Sequence, residues 1–122
     1  MKILVIDDSD DNCEFLKLFL HNKKGHDVTC VLDGKSGLEL LDKEKFDVIL
    51  LDLAMPDFSG LDVLNAMEQK GILQENTIII NTAVSVSPEE EAEVLLKNIF
   101  AFNRKGTTIG KMYELIMSAQ KS

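Results

Sequence analysis

At 122 residues the chain is long enough for one domain with a working core. Its 45% apolar and 28% charged residues are ordinary for a globular chain, and a net charge of −8 argues against non-specific nucleic-acid binding, which needs a basic surface. No apolar run approaches the roughly 20 residues that span a bilayer, and the N-terminal ILVI is too short for a secretion signal and is followed by acids.

The first apolar run, Ile3–Ile6, reads as a strand and stops at Asp7-Asp8. A helix is predicted from about Asp10 to Lys23, with Phe15, Leu16, Phe19 and Leu20 inward and Gly25 as its stop. A second strand, Val28–Leu32, leads to a helix that starts after Asp33 and turns Leu38 and Leu41 inward. The third strand, Val48–Leu53, contains Asp52, and the helix after Gly60 carries Leu61, Leu64 and Met67. The fourth strand, Thr77–Asn81, runs into Thr82-Ala83. Ser87-Pro88-Glu89-Glu90 then supplies an N-cap, a proline at the first helical position and a capping-box Glu. The inward positions predicted for that helix are Ala92, Leu95, Leu96 and Ile99. Phe100–Phe102 is the fifth strand, and the fifth helix spans about Thr108 to Ala119 with Ile109, Met112, Tyr113 and Ile116 on one stripe.

This order is (βα)5. The middle strands are nearly continuous in Val, Ile and Leu, the pattern of strands buried on both faces of a parallel sheet. Right-handed crossovers then predict a doubly wound, flavodoxin-like α/β fold with helices on both faces and one domain over residues 1–122. Cys13 and Cys30 have no metal-ligand spacing and are expected as buried free thiols, because a disulfide goes with secretion. His21 and His26 are expected at the surface.

Parallel sheets bind ligands at the carboxyl ends of their strands. There the chain places Asp7-Asp8, Asp52, Thr82-Ala83 and Lys105. Two carboxylates about 5 Å apart repel by about 3 kcal/mol at an effective dielectric of 20, so a cluster of three calls for neutralisation. A divalent cation and the Lys105 ammonium would supply it, and oxygen-only ligands in a partly hydrated site suit Mg²⁺. An EF-hand reading of Asp8, Asp10 and Asn12 fails, because Cys13 and Phe19 stand where that loop needs Gly and Glu. A P-loop reading of Gly106–Lys111 fails on glycine spacing and on Met112 in place of Ser/Thr. An Asp beside Mg²⁺, a Lys and a Thr hydroxyl has the parts of a phosphoryl acceptor.

These residues resemble a response-regulator receiver domain, of the stand-alone, chemotaxis-type size. The matching pieces are Asp7-Asp8, the run Asp52-Leu53-Ala54-Met55-Pro56 with Gly60, Thr82-Ala83 and Lys105, each at the right strand end. The resemblance implies that Asp52 is phosphorylated and that Asp7, Asp8, Asp52 and the Ala54 backbone carbonyl hold Mg²⁺. It further implies that Lys105 pairs with the phosphoryl group while Thr82 hydrogen-bonds it, and that Phe102 is the aromatic switch. The donor would be a phosphohistidine on a sensor histidine kinase or a histidine phosphotransfer protein. The output would be a changed affinity for a downstream protein at the face of helix four, strand five and helix five. The resemblance implies a cytoplasmic phosphorelay switch without independent substrate turnover, direct nucleic-acid binding or a membrane segment.

The chain departs from the family in three places. Gly106 stands where the family has Pro after the lysine, so the peptide is either trans or held by its surroundings. Asn98-Ile99 replaces Gly-Ala before strand five, with Asn98 expected to end the helix in a left-handed conformation. Ala54 and Val84, at the positions that tune phosphate hydrolysis, cannot orient a water, which predicts a long-lived phosphoryl group. Two other functions compete: a degenerate receiver that binds partners without phosphorylation, and a Mg²⁺-dependent aspartyl-phosphate phosphatase. The phosphatase needs a second acid two residues after its nucleophile, where Ser9 follows Asp7. A flavodoxin-like electron carrier needs a hydroxyl-rich loop where this chain has acids.

Overall fold

Short β-branched runs bounded by helix caps become five parallel strands in the computed structural model, which describes residues 1–83 and 86–121. The strands are β1 (Lys2–Ile6), β2 (Asp27–Val31), β3 (Val48–Leu51), β4 (Ile78–Thr82) and β5 (Ala101–Arg104), in spatial order β2-β1-β3-β4-β5. The helices are α1 (Asp10–Lys17), α2 (Gly34–Leu41), α3 (Gly60–Gln69), α4 (Pro88–Leu95) and α5 (Ile109–Lys121). A π-helical turn, Leu18–Lys23, continues α1, and Gly25 (φ 76°) ends it with an N–H bond to the His21 carbonyl.

Strand alternation sorts the core into two layers. Leu4, Ile6, Ile49, Leu51, Ile78 and Ile80 pack toward Leu38, Val63, Leu64, Met67 and Val94 of α2, α3 and α4. Ile3, Val5, Val48, Leu50 and Ile79 pack toward Leu16, Leu20, Met112 and Ile116 of α1 and α5. The strand order reverses direction between β1 and β3, which pair with Ile6 opposite Leu51. Asp7 and Asp52 each follow that last pair, so register alone sets them side by side in the crevice.

Five local expectations are corrected. Phe15 is exposed, because α1 buries Cys13 and Leu16, the π-helical turn buries Leu20, and Phe15 stands about 100° round the helix from Leu16. In α4 the buried residue is Val94; Ala92, Leu95 and Leu96 face solvent, the two leucines about 100° and 200° away from it. Asn98 does not turn left-handed; among the described residues Asp57 is the one non-glycine with positive φ. Cys13 and Cys30 form a disulfide joining α1 to β2, with Cα atoms 6.1 Å apart. The free-thiol expectation weighed compartment and missed geometry. The β1–β2 register sets Cys30 opposite Val5, beneath the buried face of α1 that carries Cys13, within bridging range. Val84 lies outside the described residues. His21 is exposed as expected, whereas His26 is partly buried, its ring bonded to the Tyr113 hydroxyl at 2.7 Å.

Candidate functional site

The carboxyl ends of β1, β3, β4 and β5 meet at one edge of the sheet. Asp7 and Asp52 are 2% and 4% exposed, and the exposed Asp8 stands beside them; one carboxylate oxygen of each lies within 4.8 Å of the others. Asp7 is fixed by donors on α1 and its cap. Its Oδ1 accepts from the Ser9 N–H at 3.0 Å, and its Oδ2 from Asn12 Nδ2 at 2.6 Å. Ser9 also caps α1 by accepting the Asn12 N–H. Asp52 Oδ1 accepts from the Ala54 N–H at 3.1 Å and from Thr82 Oγ1 at 2.9 Å. Thr82 is fully buried and reaches Asp52 from the end of β4.

Lys105 closes the site from beyond β5. Its Nζ lies 2.9 Å from Asp7 Oδ2 and 3.3 Å from Asp52 Oδ2. Burial pulls this ammonium down, but the hydrogen bond and charge of Asp7, with those of Asp52, outweigh it and hold Lys105 above its ordinary value. The Lys105–Gly106 peptide is trans, and Gly106 takes φ 109°. The lysine therefore reaches both acids through a turn built on glycine.

Glycine is also required at the start of α3. A Cβ on Gly60 would lie 2.4 Å from the Asp52 carbonyl oxygen and 2.8 Å from Leu53 Cα. The backbone of α3 thus presses on the segment that aims Asp52, and the Ser59–Asp62 capping box fixes the helix there.

The donor set fits a hard cation. Three carboxylates against one ammonium leave two negative charges uncompensated, the ligands are all oxygen, and Asp8 keeps the cluster open to water. Ala54, two residues past Asp52, is exposed. Asn12 is the site residue that the sequence reading missed; its only signal is a position five residues after Asp7, in the first turn of α1. Phe102 is half-buried against the α2–α4 layer, with the Arg104 guanidinium 4.9 Å from its ring centre; Arg104 in turn pairs with Glu91 of α4. Phe100 is exposed and does not share that packing.

Residues 3–116 match the model of the response regulator receiver domain. The chain belongs to that family. This receiver domain is 38% identical over 84 residues to the response regulator ArlR of Staphylococcus saprophyticus, covering 69% of this chain and 36% of that protein. It is 31% identical over 118 residues to the response regulator PilR of Pseudomonas aeruginosa, covering 97% of this chain and 26% of that protein. The chain thus spans about a third or less of these curated relatives. Among solved structures, the receiver domain of the Francisella response regulator 1452 superposes with a TM-score of 0.85 at 28% identity, covering 98% of this chain and 96% of that one. The response regulator TrrA of Thermotoga maritima, solved with Mg²⁺ and BeF, gives 0.81 at 26% identity, covering 98% and 99%. Receiver domains belong to two-component systems and bind Mg²⁺ at an acidic pocket, which the Asp7–Asp8–Asp52 cluster matches. No helix among the described residues is long and apolar enough to cross a membrane.

Proposed function

We propose that this receiver domain is a phosphorylation-dependent switch whose acceptor is Asp52, loaded by a phosphohistidine on a sensor kinase or phosphotransfer protein. The observation that carries this reading is the pair of buried acids held by Lys105, with Thr82 on the acceptor. Asp52 Oδ1 is occupied by two donors, so Oδ2 is the freer nucleophile. It attacks phosphorus, the N–P bond breaks, and the electron pair leaves on the imidazole. Mg²⁺ held by Asp7, Asp8, Asp52 and the Ala54 carbonyl would neutralise phosphoryl charge. The Lys105 ammonium offsets charge from the other side, and the Thr82 hydroxyl is free to pass its hydrogen bond from Asp52 to a phosphoryl oxygen. Ala54 offers no side chain to orient water, which supports a slowly hydrolysed acyl phosphate.

The output runs through Thr82 and Phe102. As Thr82 turns to the phosphoryl group, the Phe102 ring moves inward and takes Arg104, and with it Glu91 of α4, to a new position. A downstream protein reads the resulting α4–β5–α5 face. Residues 1–122 act as one domain with no independent substrate turnover. Intact mass after incubation with acetyl phosphate tests this. One phosphoryl group is expected on wild type with Mg²⁺, and none without Mg²⁺ or on Asp52→Asn. A folded, Mg²⁺-binding protein without adduct would favour the degenerate receiver. Continuous turnover of a phosphate ester would favour the phosphatase.

A further inference from the structure

The turn that delivers Lys105 is tied to a polar chain outside the acidic site, exposed at Thr107 and buried at Asn103 and Asn81. The space beside the turn is open at Gly106, where nothing lies within 4 Å of a Cβ built on it. A cleft of about 250 Å³ also opens beside it, lined by Asn12, Asn81, Asn103, Lys105, Thr107 and their neighbours. Hydrogen bonds tie both sides of the turn: on the near side the Lys105 N–H donates to the Thr82 carbonyl at 2.6 Å, and on the far side the tie runs through side chains. Thr107 Oγ1 donates to Asn103 Oδ1 at 2.9 Å, and Asn103 Nδ2 donates to Asn81 Oδ1 at 2.8 Å. Asn81 and Asn103 are direct cross-strand partners on β4 and β5, 5% and 6% exposed. They continue the strand faces that carry Ile79 and Ala101 into the α1–α5 core layer, where an apolar pair would fit the pattern. Burying two amides there is costly unless they bond each other, and the bond they make leaves Asn103 Oδ1 to hold Thr107.

We infer that Asn103 and Thr107, braced by Asn81, are positioning residues for phosphoryl transfer. They anchor the far side of the glycine turn so that Lys105 stays aimed at Asp7 and Asp52. This inference rests on the reading of Asp52 as acceptor. A misplacement of about 1 Å at a catalytic group costs up to about a hundredfold in rate, so a loosened Lys105 should be visible in kinetics.

The test compares Thr107→Val, Thr107→Ser and the double variant Asn81→Leu with Asn103→Leu. The double variant replaces a polar pair by an apolar one in apolar surroundings and is expected to fold. With acetyl phosphate at saturating Mg²⁺, Thr107→Val and the double variant should take up phosphoryl about tenfold more slowly. Thr107→Ser should keep the wild-type rate. Backbone amide relaxation of Lys105 and Gly106 gives a readout independent of phosphorylation. Order parameters near about 0.85 in wild type and Thr107→Ser should fall below about 0.6 in Thr107→Val. Rigid amides and wild-type rates in Thr107→Val would overturn the inference. A wild type that takes no phosphoryl group would sink the acceptor reading instead, and the relaxation data would still decide whether this chain holds the turn.

Discussion

The carboxyl edge of the sheet and the α4–β5 flank are built to opposite standards. At the edge, Asp7 and Asp52 each accept at least three contacts from fixed donors, and among the described residues no fully buried polar side-chain atom lacks a partner. On the flank, α4 buries one side chain, Val94, and leaves Leu95, Leu96 and Phe100 in solvent. It meets β5 through a surface ion pair, Arg104–Glu91, and the half-buried Phe102. Over-determined contacts fix chemistry; sparse contacts leave a region at the low end of local stability. A small change at Asp52 therefore has a soft element next to it to move.

The comparison is sharpest in stability. Leu64→Ala in the α3 core should cost about 2–5 kcal/mol, whereas Leu96→Ala should stay within about 0.5 kcal/mol, both read by urea unfolding. Equal losses would mean that α4 is packed after all. The next effect probes stored repulsion at the edge. Asp8→Asn should raise the melting temperature by a few degrees in excess chelator, because it removes one of three clustered charges, and should weaken Mg²⁺ binding. Unchanged or lower melting in chelator would remove the repulsion argument.

Two titrations give smaller effects at opposite ends of the pH scale. Lys105 is held above its ordinary 10.5 by Asp7 and Asp52 in spite of burial. The stability from this pairing is fully present below the unfolded value and is lost as the pH rises through the higher folded value. Lys105→Met should therefore flatten the fall in melting temperature above about pH 10. Burial first, then the positive N-terminus and Lys24, hold His26 below 6.5. Its neutral form favours the fold, so stability is present above 6.5 and declines as the pH drops through the lower folded value. His26→Gln should remove only that decline, in melting curves taken stepwise below 6.5.

Much of this was legible in the residues. Unbroken Val, Ile and Leu runs separated by capped helices specify a parallel sheet, and strand ends locate Asp7, Asp8, Asp52, Thr82 and Lys105 because the fold has one ligand-binding edge. The inward face of α4 was not legible. Leu95 and Leu96 look like core by type, and one buried Val94 sets too weak a phase for periodicity to find. The Cys13–Cys30 disulfide depends on how α1 lies over β2, which no local pattern encodes. The same holds for Asn12 on Asp7 and for the Asn81–Asn103 pair. Each is an ordinary polar residue until cross-strand register and helix packing bring its partner near.

The most direct measurement is hydrogen exchange by mass spectrometry on the protein before and after phosphoryl loading with Mg²⁺. Exchange should change in α4 and β5 and stay unaltered in β1 and β3, with no change at all in Asp52→Asn. Loaded protein whose α4 and β5 exchange as before, or a change confined to the α1 side, would contradict it.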